Sequence, residues 1–131
     1  MLRVLLVEDN DLVRESVAAM LEVMGCRPIL ATDGRSVRRE LGGEPNFDIV
    51  LTDIFMPESD GLETIREIRK QWPDMPIVAM SGGSDLFPNP ASYLEAARTF
   101  GAVEALSKPF GLEELRAAIL RALPEAQLAE V

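Results

Sequence analysis

Two hydrophobic periods alternate along this chain. Four largely apolar runs of strand length occupy residues 2–7, 49–52, 77–80 and 103–107, and a fifth, around Ile29-Leu30, occupies 27–31. Between them, apolar residues recur at helical spacing. Val13, Val17, Met20, Leu21 and Met24 form one such face, stopped by Gly25. Leu62, Ile65, Ile68 and Trp72 form another, stopped by Pro73, with Asp60 and Glu63 at capping-box spacing ahead of it. Leu112, Leu115 and Ile119 mark a last helix over about 112–123, closed by Pro124. A weaker helix is expected at 36–41, ended by Gly42-Gly43. Asn89-Pro90 has the form of an N-cap followed by a first-turn proline, opening a helix to about residue 100. Strands that alternate with helices predict five βα units and a parallel α/β sheet. Residues 1–124 make the expected domain, and 125–131 read as frayed helix or the start of a linker.

Polar residues end four of these runs: Glu8-Asp9, Asp53, Ser81 and Lys108-Pro109. Ligands of parallel sheets bind beyond the carboxyl ends of the strands, so these side chains converge on one rim. Carboxylates held roughly 4 Å apart repel by about 4 kcal/mol per pair at an effective dielectric near 20. A divalent cation with oxygen ligands relieves that repulsion, and Mg²⁺ suits carboxylates combined with a phosphate oxygen. Lys108 adds a positive charge, and Ser81 a hydroxyl able to hydrogen-bond a phosphoryl oxygen. The chemistry these parts suit is in-line phosphoryl transfer to Asp53. Singly, each has a plainer reading. One of Asp9, Asn10 and Asp11 caps the first helix, Ser81 before Gly82-Gly83 suits a turn, and Lys108 suits a solvated surface. Their order, each at a strand end, is what points to a site.

Composition narrows the classes. The chain has 131 residues, a net charge of −9, one cysteine and no histidine. That length suits one domain. Cys26 alone gives no disulfide framework and fits a reducing compartment. The apolar runs are too short to span a membrane, and the first strand begins almost at Met1, so neither membrane anchoring nor a signal peptide is expected. A cytoplasmic location follows. The acidity argues against a nucleic-acid partner. Without histidine, Ser-His and Cys-His nucleophile pairs are excluded, and any phosphohistidine must belong to another chain.

Val7-Glu8-Asp9, the run Asp53-Ile54-Phe55-Met56-Pro57 with Asp60-Gly61, then Ser81-Gly82, and Gly101-Ala102 leading to Lys108-Pro109-Phe110, together resemble the receiver domain of bacterial two-component response regulators. The resemblance covers nearly the whole chain. It implies the flavodoxin-like (βα)5 fold, a five-stranded parallel sheet in order 2-1-3-4-5 with helices on both faces. It implies Asp53 as phosphoacceptor and Mg²⁺ held by Glu8, Asp9, Asp53 and the backbone carbonyl of Phe55. Ser81 and Lys108 become the phosphoryl-binding switch pair, and Lys108-Pro109 a cis bond. The implied partners are a histidine kinase or histidine phosphotransfer protein and an unidentified downstream protein. Two features depart from the pattern. Ala105 stands where the family usually places the aromatic that relays the switch, and the Gly-, Pro- and Asn-rich loop at 82–90 is longer than typical.

The leading expectation is a stand-alone signalling module without a DNA-binding output, which supports its own phosphorylation and dephosphorylation but turns over no metabolite. A receiver cut from a larger regulator or hybrid kinase is an alternative. A docking module with vestigial phosphorylation is another, motivated by Ala105. A phosphatase resembling the haloacid-dehalogenase class could use Asp9 and Asp11. It would lack that class's acidic pair at a later strand end, because Glu113-Glu114 falls in the last helix.

Overall fold

The computed structural model describes residues 1–32, 37, 45–56, 59–81, 95–99 and 101–129, with backbone alone at 55–56 and 59–61. The expected helix at 36–41, the loop at 82–90 and the first turn of the helix from Asn89 therefore lie outside the described residues, apart from the buried Val37. The strands are β1 (Arg3–Val7), β2 (Arg27–Ala31), β3 (Ile49–Asp53), β4 (Phe55–Met56), β5 (Ser59–Asp60), β6 (Ile77–Ser81) and β7 (Glu104–Ser107). Five are parallel neighbours in the order β2-β1-β3-β6-β7, which is 2-1-3-4-5 counted along the chain. The short antiparallel ribbon of β4 and β5 has no counterpart in the hydrophobic pattern, because two residues per strand are too few to show a period.

Alternation along the strands divides the core in two, as a sheet covered on both faces requires. Leu5, Val7, Val50, Ile77 and Ala79 face one side, where Ile65 and Ile68 of helix α2 (Gly61–Gln71) pack beside Ala97 of the helical residues 95–99. Val4, Leu6, Ile49, Leu51, Val78 and Met80 face the other side. They meet Val17, Ala18 and Leu21 of α1 (Asp11–Val23) and Leu115, Ala118 and Ile119 of α3 (Leu112–Ala122). The helical faces read from the sequence are therefore the buried ones, with Val13, Met20, Leu62, Trp72 and Leu112 at their margins. Phe47 and Trp72, in T-shaped contact at 5.3 Å between centroids, seal the edge of the α2 side.

Element ends are closed by specific polar contacts. Asn10 caps α1, its side chain accepting from the Val13 amide at 3.0 Å. Gly25, at φ +80°, turns the chain out of α1 in a conformation that strains other L-residues. Asp48 accepts from the Arg3 amide at 2.8 Å and pairs with its guanidinium at 3.2 Å, clasping the start of β1 to the start of β3. Arg69 donates to the Gly101 carbonyl at 2.6 Å and to that of Pro73, joining the end of α2 to the turn before β7. Residues 123–129 are neither helical nor detached. Ala126 and Leu128 pack against the α1–α3 core, and Ala129 donates to the Met24 carbonyl at 2.8 Å while accepting from Arg116 at 2.6 Å.

These closures make stability measurable at two points. Gly101 combines φ +129° with an Arg69 side chain that an added Cβ would meet at 3.0–3.2 Å. Gly101→Ala should lower unfolding stability by about 1–3 kcal/mol in urea titration. The side-chain hydrogen bond from Arg3, helped by its amide and its charge, holds Asp48 below the usual carboxylate range against the opposing effect of burial. A depressed carboxylate contributes stability above its unfolded pKa and loses it as pH falls through the folded one. Asp48→Asn should therefore cost stability at pH 7 and progressively less as the pH falls below about 4. Solvent screening at this partly exposed pair keeps the effect to about 1 kcal/mol or less.

Candidate functional site

Parallel register brings the strand ends to one edge. Val7 lies opposite Thr52, Asp53 opposite Met80, and Ser81 opposite Ser107. Glu8, Asp53, Ser81 and Lys108 are thereby gathered at the carboxyl end of the sheet, with Asp9 beside Glu8. Glu8, Asp53 and Ser81 are buried polar residues, whereas Asp9 is exposed. Carboxylate oxygens of Glu8, Asp9 and Asp53 lie within 4.8 Å of one another. At that separation each ionised pair repels by roughly 3.5 kcal/mol for an effective dielectric near 20. The Lys108 ammonium answers part of this charge: it pairs with Glu8 and sits 3.0 Å from Asp53 Oδ2.

Lys108 is aimed by its own backbone. Its amide donates to the Ser81 carbonyl at 2.8 Å, extending the β6–β7 ladder by one bond. The following Lys108–Pro109 peptide is cis. Burial works against the charged ammonium, but hydrogen bonds to Glu8 and Asp53 and their charges outweigh it and raise the Lys108 pKa. Asp9 also shifts upward. Desolvation contributes most, followed by a hydrogen bond to Glu8 and its charge. The rim thus holds more negative charge than Lys108 neutralises. An all-oxygen donor set of this kind fits a small hard cation such as Mg²⁺.

The model of the response regulator receiver domain family matches residues 4–120. The chain belongs to that family. It is 35% identical over 124 residues to the probable C4-dicarboxylate response regulator DctR of Halalkalibacterium halodurans, covering 91% of this chain and 50% of that protein. It is 41% identical over 116 residues to the sensor kinase CckA of Brucella abortus, covering 86% of this chain and 11% of the kinase. Among solved structures, a receiver domain protein from Clostridium thermocellum superposes with a TM-score of 0.82 at 27% identity, covering 95% of each chain. The beryllofluoride-activated NtrC4 receiver domain does so at 0.81 and 30% identity, covering 95% of this chain and 98% of that one. The chain spans about half the length of the first curated relative.

In this receiver domain the sequence-derived rim residues Glu8, Asp9, Asp53, Ser81 and Lys108 come together at one edge. Phe55 follows two residues after Asp53 as the first residue of β4, and its side chain lies outside the described residues, as does the loop at 82–90. Ala105 lies opposite Ala79 in the ladder and so points to the α2 side of the sheet, whereas its neighbour Leu106 faces the α1–α3 core. Between β7 and α3, on the other side, a cavity of about 450 Å³ is lined by Leu106, Phe110 and Ala117 among others, with Ala105 at its margin. Sequence reasoning did not single out Arg14. It donates to the Glu8 carbonyl at 3.0 Å and to the Asp11 carboxylate at 2.5 Å. Nothing in residue type or spacing reveals a contact to a backbone carbonyl.

The charge balance at the rim is testable in the absence of metal. A carboxyl whose folded pKa is raised gives full stability below its unfolded pKa and loses it as pH rises through the folded one. Asp9→Asn should therefore stabilise the metal-free protein at pH 7 and make no difference near pH 3. Lys108→Met should have the opposite sign at pH 7, lowering stability by about 3 kcal/mol, because it leaves Glu8 and Asp53 buried without their cation. Chemical denaturation in chelating buffer reads both changes.

Proposed function

We propose that this receiver domain accepts a phosphoryl group from a phosphohistidine of a kinase or phosphotransfer protein onto Asp53 and changes its protein contacts in response. The observation that carries this reading is the Lys108 ammonium held between Glu8 and Asp53 inside a cluster of three carboxylates. An Asp53 carboxylate oxygen attacks phosphorus in line, and the phosphorus–nitrogen bond of the donor imidazole breaks as the new oxygen–phosphorus bond forms. The electron pair returns to the imidazole nitrogen. Lys108 neutralises the arriving phosphoryl oxygens, and the Ser81 hydroxyl donates to one of them. Glu8, Asp9, Asp53 and the Phe55 carbonyl would hold Mg²⁺, which when bound offsets the charge shared by carboxylate and phosphoryl group. The work left to the protein is positioning and electrostatics.

Surroundings of the rim support a protein partner. Beside Lys108 an apolar cavity of about 420 Å³ is lined by Leu12, Val13, Val17, Met20, Pro109 and Phe110, with Leu12 largely exposed. An apolar surface next to the acceptor suits a helix of the phosphodonor. A net charge of −9 disfavours nucleic acid as the partner. Among the described residues no helix is long and apolar enough to cross a membrane, in keeping with a cytoplasmic module. We read the domain as acting alone through protein contacts, beyond which it turns over no metabolite. A second reading, as the receiver of a longer regulator or hybrid kinase, is favoured by relatives such as DctR and CckA, of which the chain spans 50% and 11%. The size of the native polypeptide on an immunoblot of cell extract separates the two.

Acetyl phosphate with Mg²⁺ should add one phosphate to the wild type, seen by intact mass, and none to Asp53→Asn. Chelator should abolish labelling. Equal labelling of the Asp53→Asn variant, or labelling indifferent to chelator, would sink the assignment.

A further inference from the structure

Arg14 reaches back from α1 to the acidic turn without touching the acidic cluster itself. One guanidinium nitrogen donates to the Glu8 carbonyl at 3.0 Å and to the Asp9 carbonyl at 3.5 Å. The other pairs with Asp11 at 2.5 Å. The Arg14 side chain is 15% exposed, whereas that of Asp11 is 80% exposed. Glu8 is held at every polar group. Its amide donates to the Ala31 carbonyl at 3.0 Å, its carbonyl accepts from Arg14, and its two carboxylate oxygens accept from Lys108 and from the Asn10 amide at 3.2 Å. Arg14 is the member of this set that also grips the next peptide, the one carrying Asp9.

We propose that Arg14 is a positioning residue for the cation site. It fixes the Glu8–Asp9 backbone so that both carboxylates face Asp53 before a cation arrives. The inference rests on the reading of Glu8, Asp9 and Asp53 as a Mg²⁺ site. Side chains that support metal ligands from behind commonly change affinity tenfold or more when removed. A guanidinium suits the task because its planar fork can bind carbonyl and carboxylate oxygens at the same time. Spending those donors on backbone carbonyls and on Asp11 also keeps this charge off the carboxylates that a cation needs.

Electrostatics and positioning predict opposite signs, which makes the inference decidable. If Arg14 acted only as a nearby positive charge, removing it would tighten Mg²⁺ binding. If it positions the turn, removal weakens binding. Mg²⁺ affinity is measured by calorimetry on the full chain, together with the Mg²⁺-induced rise in Tm, for the wild type, Arg14→Met, Arg14→Lys and Asp11→Asn. Arg14→Met should bind about tenfold more weakly. Arg14→Lys keeps the charge but lacks the fork, and should be weakened several-fold. Asp11→Asn should stay within about twofold of the wild type, because its exposed pair is solvent-screened. Saturating Mg²⁺ should return the rate of labelling by acetyl phosphate in both Arg14 variants to the wild-type value, a recovery that general misfolding would not allow. Unchanged or tighter binding in Arg14→Lys overturns the positioning role, and that variant is decisive if Arg14→Met does not fold. A wild type that binds no Mg²⁺ overturns the cation reading and the positioning role together.

Discussion

Lys108 is the counterweight on which the functional edge of the domain depends. Three carboxylates from two strand ends are gathered within 4.8 Å, a concentration of like charge that would push the edge apart if unanswered. The lysine ammonium lies between the two buried members of the cluster, Glu8 and Asp53, and leaves the exposed member, Asp9, to carry the excess. Stability and chemistry pull in opposite directions here. A site rid of its repulsion would fold more firmly, but it would have no use for a cation. Local strain of this kind at a functional site is held in place by the rest of the fold.

What holds it is the sheet. The central strands β1, β3 and β6 are buried on both faces; the acidic turn Glu8-Asp9 follows directly from β1, and Asp53 ends β3. Two apolar cores clamp the sheet, one under α1 and α3, the other under α2 and residues 95–99. Small polar clasps then close the margins: Arg3 to Asp48, Arg69 to Gly101, and the segment ending at Ala129 against the end of α1. All three lie away from the charged rim, so the edge opposite the chemistry carries the closing contacts.

By the sequence resemblance, Ala105 is a small residue where an aromatic ring is expected. Its side chain shares the α2 side of the sheet with Ala79, while Leu106 beside it faces the α1–α3 core. An arginine–glutamate contact spans the same strand, with Arg121 at 2.9 Å from Glu104, next to Ala105 in the chain. Ala105 has no side-chain rotamer to change, so a movement at this position is a movement of the backbone.

Fold class, helical faces and the acidic rim were all legible in the amino-acid pattern. Each depends on periodicity or on a polar residue ending an apolar run, and both are local properties of the chain. Ile65 and Ile68, Val17 and Leu21, and Leu115 and Ile119 could be assigned inward because burial repeats with the helix turn. Asp53 and Lys108 could be placed at one edge because parallel strands share a direction. Other features emerged only once the chain was folded. Which of Asp9, Asn10 and Asp11 caps α1 was settled in favour of Asn10 by the path of the turn after β1. The burial of Phe47 and Cys26, outside any periodic run, depends on how loops cross the sheet. The folding back of residues 123–129 and the grip of Arg14 on two carbonyls involve backbone groups that every residue possesses. A side-chain pattern holds no signal for such contacts, because the partner is the chain itself and only its course in space brings it within reach.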